Sequence, residues 1–207
     1  MITIKINIFS DKKVGVMCSR FGTGKAAQEW IRKYGWSSPT TDGDCSPNDT
    51  VPALISQGGR IIAVPMMWGL ENPKNHSLII NARIETADQK AMFSDSLLRR
   101  RCILPAEKFY EWNAEKRKAT FCPAGNDSLL FLCGIYTWDG ATPRFVILTK
   151  EADEVMKPVH DRMPVMVKEK DISRWLTDYM AMMDISKKGV PLNRIEKFEQ
   201  LSLFEGV

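Results

Sequence analysis

The chain has 207 residues, 44% of them hydrophobic and 26% charged, which suits one compact domain and argues against disorder. Lysine and arginine exceed aspartate and glutamate by four, a balance compatible with a polyanionic partner without demanding one. No run of about 18 apolar residues occurs and residues 1–16 hold no signal-peptide core, so membrane spanning and export are disfavoured and a cytoplasmic protein is expected.

Residues 1–16 are expected to be a mis-called start or a removed leader. Lys12-Lys13-Val14-Gly15-Val16 can be encoded by codons that spell a purine-rich ribosome-binding site ahead of Met17. A self-removed propeptide and an ordinary strand are the competing readings, the latter because Ile2-Thr3-Ile4-Lys5-Ile6 alternates apolar and polar residues. Residues 17–207 are expected to form a single domain. In any product started at Met17, Cys18 becomes the first residue after methionine removal. Its α-amine (pKa about 8) and thiol (pKa about 8.5) would then sit on adjacent carbons, able to add to one aldehyde and close a five-membered thiazolidine. No internal cysteine can do that.

Ala26, Trp30, Ile31 and Tyr34 recur at helical spacing and predict a helix from about Gly24 to Tyr34, followed by a polar connector through Ser37 to Asp44. Val51–Ser56 and Arg60–Met66 flank Gln57-Gly58-Gly59 and predict a β-hairpin. Further strands are expected at Ser77–Ile84, Arg101–Trp112, Ala119–Pro123, Leu129–Trp138 and Pro143–Lys150, with helices near Ala87–Leu98 and Glu169–Met183. The apolar residues between Phe198 and Phe204 are expected to dock on the body. Strands dominate the middle of the chain, so the expected fold is one α+β domain: a curved, mostly antiparallel, barrel-like β-sheet with flanking helices. Cys18, Cys45, Cys102, Cys122 and Cys133 lack CxxC spacing, which suggests neither a disulfide framework nor structural zinc; all but Cys18 read as buried small hydrophobes.

Four segments put a reactive or hydrogen-bonding residue at the end of an apolar strand: Cys18-Ser19-Arg20, Ile80-Asn81-Ala82-Arg83, Phe109-Tyr110-Glu111-Trp112 and Val159-His160-Asp161-Arg162-Met163-Pro164. Together with Met66-Met67-Trp68-Gly69, Arg100-Arg101-Cys102-Ile103-Leu104-Pro105-Ala106 and Phe145-Val146-Ile147-Leu148-Thr149, in this order and at these separations, they resemble the SOS response-associated peptidase (SRAP) family. Its members process abasic sites in single-stranded DNA. The resemblance covers nearly everything from Met17 to Phe204. It implies a curved sheet with a basic groove and a covalent DNA–protein crosslink through Cys18.

The resemblance also assigns roles. Glu111 is the expected proton shuttle, because making and dehydrating a carbinolamine needs one group that accepts and donates protons; flanking Tyr110 and Trp112 are expected to supply the apolar surroundings that raise its pKa. His160 would assist sugar ring opening or crosslink reversal, and Asn81 would orient the Cys18 amine or a sugar hydroxyl. Arg20, Arg83 and Arg162 would grip flanking phosphates, and Pro47 carries over from the family's DNA-contacting loop. Arg99-Arg100-Arg101 and Lys116-Arg117-Lys118 read as solvated charge runs, either able to extend the phosphate track. Trp68 and Trp112 read as core, and His76 matches no motif. The family's common Cys-Gly-Arg is here Cys18-Ser19-Arg20, and Asp44 and Asp49 add carboxylates near the groove, expected to weaken DNA binding.

The expected activity is therefore an enzyme-like crosslinker that shields an abasic site, with slow self-release and weak lyase side activity. Two rivals stand beside it: an autoprocessing N-terminal-nucleophile peptidase, and a non-catalytic single-stranded DNA binder using the arginines alone. No metal or other cofactor is implied, and the expected state is a monomer that joins the nucleoid when on DNA.

Overall fold

In the computed structural model the described residues are 18–37, 43–140 and 142–196; the expectations for residues 1–16 and for Phe198 to Phe204 lie outside them. In chain order they form β1 (Arg20–Thr23), α1 (Lys25–Arg32), β2 (Gly43–Cys45), β3 (Thr50–Gln57), β4 (Arg60–Trp68), β5 (Leu70–Glu71), β6 (Leu78–Ile79), β7 (Asn81–Arg83), α2 (Ile84–Ala87), α3 (Ser94–Arg99), β8 (Arg101–Ala106), β9 (Lys108–Trp112), β10 (Lys118–Pro123), β11 (Leu130–Asp139), β12 (Thr142–Glu151), β13 (Arg162–Pro164), β14 (Met166–Val167), α4 (Ile172–Thr177), α5 (Tyr179–Ser186) and β15 (Leu192–Glu196). A 3₁₀ turn at Glu169–Asp171 leads into α4.

Two sheets carry the fold. The smaller, ordered β15-β10-β9-β1-β2, is antiparallel throughout. The larger runs β13-β12-β4-β3-β8-β11-β14. In it β12 also pairs with β11, and meets β4 through the parallel pairs Arg144↔Met67 and Phe145↔Trp68, so the sheet curls back on itself. The expected curved α+β architecture is what the chain adopts.

Strands of the large sheet have apolar cover on both faces. Cys102 and Leu104 of β8 face the core shared with Phe21, Phe109 and Phe121 of the small sheet, while Ile103 faces the layer containing Ile31 of α1 and Trp175 of α4. That double cover explains why β8 reads as an unbroken apolar run instead of an alternating one. The β3–β4 hairpin closes as predicted at Gly58 and Gly59, whose φ values of +57° and +77° suit a type I′ turn and would strain other residues.

Several predicted elements are divided. Arg101–Trp112 becomes β8 and β9, which belong to different sheets. At the corner between them the Glu107 carboxylate accepts the Ala26 N–H in the first turn of α1, at 2.9 Å. Gly24 leaves room for that carboxylate, since a Cβ on it would crowd the Glu107 oxygens and push them off the Ala26 N–H. Glu169–Met183 divides at Asp178, whose carboxylate caps α5 by accepting the Ala181 N–H at 3.0 Å. Ala87–Leu98 becomes two short helices, because one continuous helix would set buried Ala87 and Phe93 about 120° apart. Ser77–Ile84 breaks at Ile80, whose carbonyl accepts from the Trp68 indole and the Ile147 N–H, and Ile84 already begins α2.

The reading of Arg101 as a solvated charge is corrected by its surroundings. It is 4% exposed, and its guanidinium donates to Leu97 O, Leu98 O, Trp175 O and Leu176 O at 2.6 to 3.2 Å. Those carbonyls lie in the last turns of α3 and α4, which have no intrahelical donors left for them. One charge thus ties two helix ends to β8. Arg100 is likewise engaged, with Asp95 and Tyr136 O. Cys122 departs from its expected burial and is half-buried on β10, opposite Asn193 of β15.

Candidate active site around Cys18 and Glu111

Antiparallel pairing of β1 with β9 brings the start of the domain to the Glu111 strand, through Arg20↔Tyr110 and Phe21↔Phe109. Strand alternation would put residue 18 on the same face as Arg20, toward solvent. Instead Cys18 has φ +46° and the backbone turns inward, leaving the residue 0% exposed in the core with Phe21. Its nitrogen donates to Glu111 Oε2 at 2.7 Å. The other carboxylate oxygen accepts the Trp112 N–H at 3.0 Å.

Glu111 is 3% exposed, but Tyr110 and Trp112 are not what desolvates it. Side chains one residue apart on a strand point to opposite faces. Glu111 shares its inward face with Phe109 and, across β10, with Ala119 and Phe121, while Tyr110 faces the other way. Burial is the largest influence on Glu111 and lifts its pKa above the ordinary glutamate value; the two N–H bonds and the charge of His160 pull the other way. Burial, then the charge of Glu111, holds the Cys18 thiol well above its usual range. In this state the sulfur is a protonated thiol.

His160 follows the turn after β12 and stands within electrostatic reach of Glu111. Its Nδ1 accepts the Arg162 N–H at 3.0 Å and lies 2.9 Å from Asp161 Oδ1. One lone pair cannot serve both. Neutral imidazole with its proton on Nε2 accepts from Arg162, whereas imidazolium donates to Asp161. Asn81 starts β7 opposite Ile147 of β12, and the residue before it meets Trp68: this fully buried indole packs against Phe21 at 5.1 Å and Phe145 at 6.0 Å between ring centroids, and donates to the carbonyl of Ile80. Trp68 thus links the strand after Cys18 to the strand that starts at Asn81.

The arginines fall into two groups. Arg83 and Arg162 lie on strands flanking β12, at Arg83↔Thr149 and Arg162↔Glu151. Arg83 is exposed. Arg162 is held bidentately by Glu85 at 2.8 and 2.7 Å and also donates to Thr149 O. Arg20 is on the small sheet's outer face, 3.9 Å from Asp44, whose carboxylate also accepts the Tyr110 hydroxyl at 2.7 Å. Lys118 lies 3.7 Å from the centre of the same tyrosine ring. Pro47 sits in the turn between β2 and β3, where Asn48 N–H donates to Trp68 O. Sequence reasoning missed Glu85, Thr149 and the Asp44–Tyr110 contact, since each depends on a long-range pairing that no local pattern encodes. Among the described residues no group of three or more His, Cys, Asp or Glu side chains is placed to hold a metal ion, and no helix is long and apolar enough to cross a membrane.

The profile of the family described as "SOS response associated peptidase (SRAP)" matches residues 17–198. The chain belongs to the SRAP family. It is 32% identical over 179 residues to the abasic site processing protein YoaM of Bacillus subtilis, covering 77% of this chain and 79% of that one. The abasic site processing protein YedK of Escherichia coli is 24% identical over 184 residues, covering 77% of this chain and 79% of its own length. Among solved structures, a protein from Bordetella bronchiseptica superposes with a TM-score of 0.71 at 23% identity, covering 87% of this chain and 100% of that one. A phage-related protein from the same organism also gives 0.71, at 20% identity and with 87% and 94% coverage. These structural likenesses show a shared fold, and the profile establishes the family.

Proposed function

We propose that this chain processes abasic sites in single-stranded DNA, capturing the ring-opened sugar as a thiazolidine on the amine and thiol of Cys18 once that residue is the N-terminus. The observation that carries the reading is the 2.7 Å bond between the Cys18 nitrogen and the buried Glu111 carboxylate, because it puts a proton acceptor on the atom that must attack. The names of the related abasic site processing proteins support the choice of substrate.

The free amine adds to the C1′ aldehyde to give a carbinolamine. Glu111 takes a proton from the attacking nitrogen and returns one to the departing hydroxyl, so one water leaves and an imine remains. The thiol, held protonated by its surroundings, loses its proton as sulfur adds to C1′, and nitrogen ends as a secondary ring amine. The balance is aldehyde plus aminothiol giving thiazolidine plus water. With the iminium gone, the C2′ proton is no longer acidified and β-elimination stops. Stable capture and strand cleavage therefore diverge from one intermediate.

The backbone at Cys18 favours a free nitrogen. Its left-handed φ exists only while residue 17 is attached, and for a non-glycine residue that conformation costs about 1–2 kcal/mol. His160 assists ring opening or reversal from beside Glu111. Arg83, Arg20 and Arg162 contact phosphates, with Asp44 and Glu85 competing for the last two.

The test uses an abasic single-stranded oligonucleotide and a denaturing gel without borohydride. Protein that begins at Cys18 should give a stable adduct, and chain verified to retain residues 1–17 should not. Cys18→Ala with a free N-terminus keeps the amine and loses the trap, so the product should shift to transient imine and cleaved strand. Equal stable crosslinking by Cys18→Ala overturns the mechanism.

A further inference from the structure

The turn between β12 and β13 holds its histidine by one ring nitrogen. The His160 N–H donates to Met156 O at 3.1 Å and the Asp161 carbonyl accepts the Ala152 N–H at 3.0 Å, so the backbone that carries the ring is pinned. Nδ1 lies 3.0 Å from the Arg162 nitrogen and 2.9 Å from Asp161 Oδ1. Nε2, on the far side of the ring, has no hydrogen-bond partner among the described residues, and the ring is 15% exposed and within electrostatic reach of Glu111. Nε2 is therefore the nitrogen the site can use.

Two partners at one nitrogen select different chemistry at the other. When Nδ1 accepts from the Arg162 N–H, the hydrogen of the neutral ring sits on Nε2, which is then a donor. When Nδ1 carries the hydrogen and donates to Asp161, the neutral ring presents a lone pair at Nε2 and is a base. We infer that Asp161 is a positioning residue that gives His160 its base form, and that this form takes the hemiacetal proton when the abasic sugar opens. The charges around the ring favour that pairing. Arg162, next to Asp161 in sequence, has its guanidinium held by Glu85 at 2.8 and 2.7 Å and donates to Thr149 O, so the Asp161 carboxylate is left to the imidazole.

The inference rests on the abasic-site reading above and names a step that precedes attack by Cys18. The C1′ hydroxyl gives its proton to Nε2, the C1′–O4′ bond breaks with its electron pair going to O4′, and C1′ becomes the aldehyde carbon. O4′ leaves with a proton from water. The imidazolium so formed keeps its Nδ1–H on Asp161, then returns the Nε2 proton to solvent. The ring need not move between its two tautomers, because both partners already face Nδ1.

Asp161→Ala tests the assignment, and at 87% exposure the side chain can be removed without unpacking the fold. Nitrogen-15 spectra of histidine-labelled full chain at about pH 8 report the tautomer, with His76→Gln identifying the other of the two histidines. The wild type should show hydrogen on Nδ1, and Asp161→Ala should shift it toward Nε2. Protein that begins at Cys18 is then timed on two strands, one with the cyclic abasic sugar and one whose lesion is an acyclic aldehyde with no ring to open. Asp161→Ala should be about two- to fivefold slower on the first, the range of an exposed charge pair, and unchanged on the second. An identical tautomer balance in the two chains, or equal slowing on both strands, overturns the inference. Absence of crosslinking by the wild type on either strand falls on the Cys18 chemistry instead, and the ring spectra still decide what Asp161 does to His160.

Discussion

Replacing Glu111 by glutamine separates what the carboxylate does for chemistry from what it does to the fold. The carboxylate accepts two main-chain N–H groups, from Cys18 at 2.7 Å and Trp112 at 3.0 Å, while almost wholly buried. Glutamine offers one oxygen and one NH₂, so one of those N–H groups must face a donor. An unmet buried donor costs about 1–3 kcal/mol. Near pH 4.5 the folded-state group is mostly the neutral acid, whose two oxygens can still face both N–H groups with the O–H turned away, so the wild type should be more stable than Glu111→Gln by up to about that amount. Burial raises the folded-state pKa of Glu111 above its ordinary value of 4.5, so the folded chain binds more protons there than the unfolded chain. Stability from such a group is complete below the unfolded pKa and is lost as pH rises through the folded one. The gap between wild type and variant should therefore narrow above about pH 4.5, by about 1.4 kcal/mol for each unit of upward shift, and then level off. Urea denaturation of both chains from about pH 4.5 to 8 measures it. In single-turnover crosslinking the same variant should be slower by about 10²-fold at neutral pH, because it cannot exchange a proton. A stability gap that stays constant or widens refutes the burial argument, and a wild-type crosslinking rate refutes the shuttle.

Arg101→Met should destabilise the domain by about 3–5 kcal/mol, since four helix-end carbonyls lose their donor, and urea denaturation should show it; a loss below about 1 kcal/mol would return Arg101 to the solvated role its sequence suggests. For phosphate contacts, Arg83→Ala should reduce the slope of log affinity against log salt by about 0.7 on single-stranded DNA. Arg162→Ala should lower stability as well as affinity, because it also strands Glu85, whereas Arg83→Ala should leave the melting temperature in place. An unchanged slope assigns either arginine to structure.

The sequence by itself determined the family and most of the elements. Cys18 is the one cysteine that directly follows a methionine, and the co-linear segments through His160 identified the family before any geometry. The glycine-closed hairpin and the apolar runs of β8, β11 and β12 were legible because period, turn chemistry and β-propensity are local properties. What was not legible depended on which strand lies beside which. The corner at Glu107, the break at Asp178 and the clamp at Arg101 arise where a side chain meets backbone groups freed at a distant helix end, a partner no window of sequence contains. The site follows the same division. Glu111 could be named from its tetrapeptide, but its environment was assigned to the wrong neighbours, because residues adjacent in a strand face opposite ways and the Phe109, Ala119 and Phe121 face appears only with the β9–β10 register. The inward turn at Cys18, the Glu85 grip on Arg162 and the Asp44 contact with Arg20 were likewise decided by the tertiary structure, since long-range pairing alone brings those charges and hydrogen-bonding groups within reach of one another.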